Sequence, residues 1–230
     1  MDGNALPPAK SEASLTQNHN GPKMRRRGRM TQGQRRALEQ LAPRYLVDPE
    51  PNQWPDVFGR NAPLGVEIGF GMGQATLEWA AGQPQLNIVG IDIYRPGIGA
   101  LLAGIERLSL PNLRLLEGDA ALLLDSKFEA GSLDEARILF PDPWPKKRHH
   151  KRRLIQPDFV RLLASRLRRG GRLLLATDAA EYAEWMADVL AAEPALAVAA
   201  PAGERPTTRF EDRGRRLGHR IHDLAYQRKN

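Results

Sequence analysis

The sequence predicts an α/β fold, a doubly wound, mostly parallel sheet with helices on both faces. Two observations carry that expectation. From about residue 64 onward, short aliphatic runs alternate with longer amphipathic stretches, strand and then helix throughout. The runs also finish at or near glycine or an acid, as strands do when their carboxyl ends open onto a ligand crevice. In order, GVEIGFG (65–71) precedes a helix-like stretch at 74–82, NIVGIDI (87–93) one at 96–109, and LRLLEGD (113–119) one at 120–127. LDEARILFP (133–141) leads through a basic segment to a helix over 156–168, and RLLLATD (172–178) to one over 179–192. Gly170 and Pro194 are the expected stops of these last two helices, and the C-terminus around His219 and His222 reads as strand, with structural histidines. No internal repeat is visible. A chain of 230 residues can bury one core, so one domain is expected over 31–230, behind a basic N-terminal tail at 1–30. The first 22 residues of that tail are polar, aperiodic and expected to be disordered.

Composition narrows the function classes. With no cysteine, disulfides and thiolate-ligated zinc are excluded, and adjacent His149 and His150 make a poor chelate, so no metal is expected. A chain without cysteine suits a reducing compartment, so the cytoplasm is expected, and no apolar stretch reaches membrane-spanning length, so a soluble protein is expected. The formal charge of +7 is unevenly spread. Residues 1–36 carry eight Lys/Arg against Asp2 and Glu12, and residues 146–153 carry six with no acid, so the remaining chain is acidic. Two cationic blocks on an acidic body suit a protein that grips a polyanion, although a solvated tail and loop would give the same count.

The strand ends point to a cofactor. Gly69, Gly71 and Gly73 alternate after the first strand, so the backbone there can turn tightly and approach a ligand. A dinucleotide fingerprint wants a small residue where Gln74 stands, which disfavours a pyrophosphate. Glu67, Asp92 and Asp119 occupy three successive strand ends. Each alone could be a helix cap; together they would surround a ligand that is cationic and lacks phosphate. S-adenosylmethionine has that character.

The fourth strand delivers FPDPWPKKRHHKRR, residues 140–153. Pro141, Pro143 and Pro145 stiffen the backbone around Asp142 and Trp144, and stiffness serves a side chain that must be aimed. The basic run that follows could neutralise several phosphates. Trp144 reads as packing rather than as a base-stacking platform.

With EIGFGMG, GIDIYRPGIG, ATD and RPTTRFEDRGRRLGHRIHDL, this segment resembles the bacterial tRNA (guanine-N(7)-)-methyltransferase family, from about Arg29 to the C-terminus. The resemblance implies a Rossmann-like methyltransferase sheet that uses S-adenosylmethionine. It implies that Glu67, Asp92, Asp119 and Asp142 contact the methyl donor, with Gly69, Gly71 and Gly73 beside them, and that Asp142 is catalytic. It further implies that tRNA is bound by Lys146, by Arg148, His149, His150, Lys151, Arg152 and Arg153, and by Asp178, Thr208, Arg209, Phe210 and Glu211. Many relatives carry Glu and His where Asp92 and Tyr94 stand here, His for Pro145 and Lys for Arg209. A monomer or homodimer needing no protein partner is expected. The competing readings are an RNA-binding module with an empty crevice, and a small-molecule or protein methyltransferase on which the cationic blocks are incidental.

Overall fold

A computed structural model describes residues 28–51, 53–200 and 205–230. The expected disorder of the tail falls almost wholly outside the described residues. Five parallel strands form the body of the sheet: β1 (Leu64–Ile68), β2 (Asn87–Asp92), β3 (Leu113–Glu117), β4 (Leu133–Leu139) and β5 (Leu167–Thr177). They are joined through α3 (Gln74–Gly82), α4 (Arg95–Leu108), α5 (Ala120–Lys127) and α6 (Pro157–Arg166), after α1 (Gln32–Tyr45) and α2 (Trp54–Phe58). Then come α7 (Ala180–Ala191), β6 (Leu196–Val198), α8 (Arg209–Arg216) and β7 (His222–Arg228). The strand order is β3-β2-β1-β4-β5-β7-β6, with β7 antiparallel to both β5 and β6. The order reverses between β1 and β4, so their carboxyl ends diverge into the crevice where doubly wound sheets bind ligands.

Burial follows from the pattern read in the sequence. All five residues of β1 are buried, as a central parallel strand covered on both faces requires. One core cluster joins Val66, Ile68, Ile138 and Leu175 to α6 and α7. The other joins Ile88, Leu113 and Leu115 to α1, α3 and α4. Helix α1, which the periodicity did not announce, opens on a capping box between Thr31 and Gln34. It packs so closely on α4 that a Cβ at Gly99 would lie 2.5 Å from the Gln34 carbonyl.

Two expectations are corrected here. Gly170 does not end a helix: α6 stops at Arg166, β5 begins at Leu167, and the β4–β5 register shifts between Leu133 and Glu135. Gly170, at φ +72°, shapes that irregularity inside the strand. At the C-terminus, α8 and the left-handed Gly218 precede the strand, so His219 lies before β7, which starts at His222.

Candidate active site

Glu67 lies at the end of β1, buried, and its Oε2 has no hydrogen-bond partner among the described residues. Burial pushes its pKa up to about 7; the neighbouring Thr76 hydroxyl and Arg137 pull the other way, and Asp92 adds to the rise. Gly69, Gly71 and Gly73 all have φ between +58° and +77°, a left-handed turn that only glycine adopts readily. A Cβ on Gly69 would point into open space, whereas one on Gly73 would collide with Leu101 at 2.8 Å. Asp92 ties the loop down: Gly71 N donates to its Oδ2 (2.8 Å), and Ile93 N and Tyr94 N donate to its Oδ1 (2.7 and 2.9 Å). Asp119 caps α5, its Oδ1 accepting from Ala121 N and Leu122 N. The capping alternative is thus realised at Asp119, at the end of the strand that was expected to offer it to a ligand.

Across the reversal point, β4 runs into the proline-rich loop. Phe140 and Trp144, which bracket Asp142, have φ of +53° and +43°. Bulky side chains rarely take such angles, and strain of this kind collects at functional sites. The loop is fastened where Phe140 N donates to Ala176 O (2.8 Å). Asp142 lies close enough to Tyr182 to help raise its phenol pKa to about 12, a shift owed first to burial. One residue past β5, Asp178 Oδ2 is 2.9 Å from His219 Nδ1, and a Cβ on Gly214 would meet that oxygen at 3.1 Å. Helix α8 therefore packs directly on Asp178. It also reaches the glycine turn, because Phe210, 49% exposed, would lie 3.9 Å from a Cβ on Gly71.

This donor set fits S-adenosylmethionine. An orphaned buried carboxylate and an open glycine turn, lined by acids and without a cationic phosphate cradle, suit a ligand bearing an ammonium, a sulfonium and hydroxyls. The comparisons with known proteins agree. Residues 61–224 match a methyltransferase family model. A tRNA (guanine-N(7)-)-methyltransferase of Alkalilimnicola ehrlichii is 49% identical over 216 residues, covering 90% of this chain and 91% of its own. The enzyme of the same name from Halorhodospira halophila is 49% identical over 214 residues, covering 89% of this chain and 93% of its own. This chain belongs to the tRNA (guanine-N(7)-)-methyltransferase family. Its fold is also that of the 16S rRNA methyltransferase KamB, with a TM-score of 0.56 at 17% identity over 81% of this chain and 99% of that one. The 16S rRNA (adenine(1408)-N(1))-methyltransferase from Catenulisporales acidiphilia gives 0.54 at 19% identity over 81% and 97%.

The residues expected to bind substrate in this methyltransferase divide sharply. Lys146, Arg148, Lys151 and Arg152 are exposed on and beside a 3-10 turn, Lys147–Arg152. His149 packs edge-on against Trp144 (5.7 Å), and Arg152 lies over the Trp144 ring at 5.0 Å, so the tryptophan is built into the turn. Burial, with Arg152, Arg148 and Lys146 around it, holds the His149 pKa below that of a free imidazole. Arg153 is buried, and the buried Nε2 atom of His150 lies 3.9 Å from Glu181. On α8, Thr208 is the N-cap, accepting from Glu211 N (3.1 Å). Glu211 is buried between Arg205 (2.5 Å) and Arg215 (2.7 Å), which outweigh its desolvation and hold its pKa below the ordinary carboxylate value. Arg209 and Phe210 are exposed at the start of the helix. Sequence reasoning missed His219, Gly214 and Arg205 as parts of this site. The signal was present, because all three stand in the segment RPTTRFEDRGRRLGHRIHDL.

Proposed function

We infer that this chain transfers a methyl group from S-adenosylmethionine to nitrogen 7 of a guanine in tRNA, the guanine of the variable loop by family resemblance. What supports the reading is that Asp142 follows β4, the strand paired with β1 and its glycine turn, on a strained loop that leads into an exposed cationic turn. Glu67, the backbone of Gly69 to Gly73, Asp92 and Asp119 would hold the cofactor, which supplies an electrophilic methyl on a sulfonium.

Nitrogen 7 of guanine has an in-plane lone pair and no proton, so no strong base is required and positioning is the main task. The methylated purine becomes cationic. Carboxylates aimed at its Watson–Crick edge stabilise charge that appears only as the transition state forms. Asp142 and Asp178, beyond the ends of adjacent strands β4 and β5, take that role. Lys146, Arg148, Lys151 and Arg152 neutralise phosphates, while Thr208, Arg209 and Phe210 close over the base, on a helix that Glu211 braces. The cytoplasm is the compartment this substrate requires, and tRNA is the partner; among the described residues no helix is long and apolar enough to cross a membrane.

The test is to incubate the protein with labelled donor and bulk unmodified tRNA, then identify the modified base. Label in 7-methylguanine alone is expected. Transfer that needs no RNA, or label in another base, overturns the reading.

A further inference from the structure

Arg153 ends the cationic run and differs from every other Lys or Arg in it. Lys151 and Arg152 are exposed, whereas none of the Arg153 side chain is accessible (0%). Each nitrogen of its guanidinium donates a hydrogen bond. Nε donates to the Pro143 carbonyl (3.0 Å), Nη1 donates to Glu181 Oε1 (3.1 Å), and Nη2 donates to Glu181 Oε2. The plane lies over the rings of Tyr182 (4.8 Å) and Trp185 (5.5 Å). Those two rings fasten the next stretch of backbone as well: Ile155 N donates to the Tyr182 hydroxyl and Trp185 Nε1 donates to Ile155 O. The segment following the run is therefore stapled to α7.

A buried guanidinium is stable only while paired, and swinging Arg153 out to a phosphate would also leave the Pro143 carbonyl without its donor. The partner carbonyl, moreover, belongs to the residue next to Asp142. Phe140 and Trp144, on either side, sit in a backbone region that persists only where the surroundings over-determine it. On the strand side the restraints are the Phe140–Ala176 hydrogen bond and Arg205 stacked over the Phe140 ring (5.6 Å). On the far side His149 and Arg152 pack on the Trp144 ring, and the fork of Arg153, whose planar geometry can serve a carbonyl and a carboxylate at once, ties the Pro143 backbone to α7.

We propose that Arg153 is a positioning residue: by bridging the Pro143 carbonyl and the Glu181 carboxylate it holds the strained loop 140–144 so that Asp142 is presented to the reacting base. This rests on the methyl-transfer reading above. The variants are Arg153→Lys, which keeps charge but loses the fork, and Glu181→Gln, which removes the carboxylate charge but keeps an acceptor for the buried guanidinium; a thermal melt confirms that each is folded. Lys151→Ala, on the exposed turn, is the phosphate-contact control. Three quantities are measured: the single-turnover transfer rate with donor and tRNA saturating, the salt dependence of tRNA binding, and hydrogen exchange across 140–156 in the RNA-free protein.

Both variants are expected to transfer at least about tenfold more slowly, to exchange faster across that segment, and to keep the wild-type salt slope, with tRNA affinity within about twofold. Lys151→Ala should flatten the salt slope and leave exchange across 140–156 as in the wild type. A transfer rate within about twofold of wild type in Glu181→Gln, unchanged exchange in it, or a flattened salt slope in either variant overturns the proposal. Should the wild-type protein fail to methylate tRNA, the functional reading falls, and the exchange data still decide whether Arg153 holds the loop.

Discussion

On the β1–β3 side of the crevice, acids are held by backbone. Asp92 accepts from three main-chain amides, two in its own loop and one from Gly71 in the turn after β1, and Asp119 from two at the start of α5. On the β4–β5 side, groups are held by side chains: the Pro143 carbonyl and, across 28 residues, Glu181 by Arg153, Glu211 by Arg205 and Arg215, and Asp178 by His219 across 41 residues. The first arrangement is fixed by main-chain donors and suits a small cofactor that every turnover uses in the same way. The second depends on ion pairs whose partners pack together only after folding, and it faces a polyanion able to compete for those arginines. Cofactor binding should therefore be insensitive to changes on the β4–β5 side, and tRNA binding to changes on the other.

The comparison is tested hardest at Asp142, which lies between the two. Asp142→Asn should slow single-turnover transfer by about 100-fold or more with donor saturating, the scale of losing one electrostatic stabiliser. Binding of tRNA, followed by filter retention, should survive; a rate within a few-fold of wild type would leave Asp142 as a turn residue.

Asp92→Ala should weaken donor binding by about 1 to 3 kcal/mol in calorimetry, because it frees the glycine turn as well as removing an acid, and should leave tRNA affinity unchanged. Next comes pH. Glu67 titrates near 7 when buried, against an ordinary 4.5, so between those values the folded chain holds a proton that the unfolded chain has released. Stability without ligand accordingly falls as pH rises through that window, and Glu67→Gln should abolish the fall in a thermal melt series. Because a cationic donor favours the ionised carboxylate, donor affinity should rise with pH and level off above about 7, by about tenfold per unit at most. Affinity flat from pH 5.5 to 8 would remove Glu67 from the donor site.

The smallest effect is expected at Arg152. Arg152→Ala should flatten the salt dependence of tRNA binding by about 0.7 to 0.9 log units and leave the donor untouched. An unaltered slope would make the exposed turn a solvated one.

The strand and helix alternation was legible because each element carries its own signature. β1 is an uninterrupted buried run, α3 and α5 occupy the stretches read for them, and the acids fall at strand ends whose spacing is local. Helix α8 was not legible, since RFEDRGRR has no apolar stripe and takes its stability from Thr208 and two arginine–glutamate pairs. Nor did the sequence distinguish Arg152 from Arg153. Neighbours in a cationic run look alike until a carboxylate 28 residues away and two aromatic rings of α7 enclose one of them. His219 likewise meets Asp178 across 41 residues of chain. The sequence by itself determined the architecture, the crevice and the acids facing it, because periodicity and turn chemistry act over a few residues. Only the tertiary structure decided which charges are spent inside the fold and which remain for RNA, because burial and partner choice belong to packing between segments far apart in the chain.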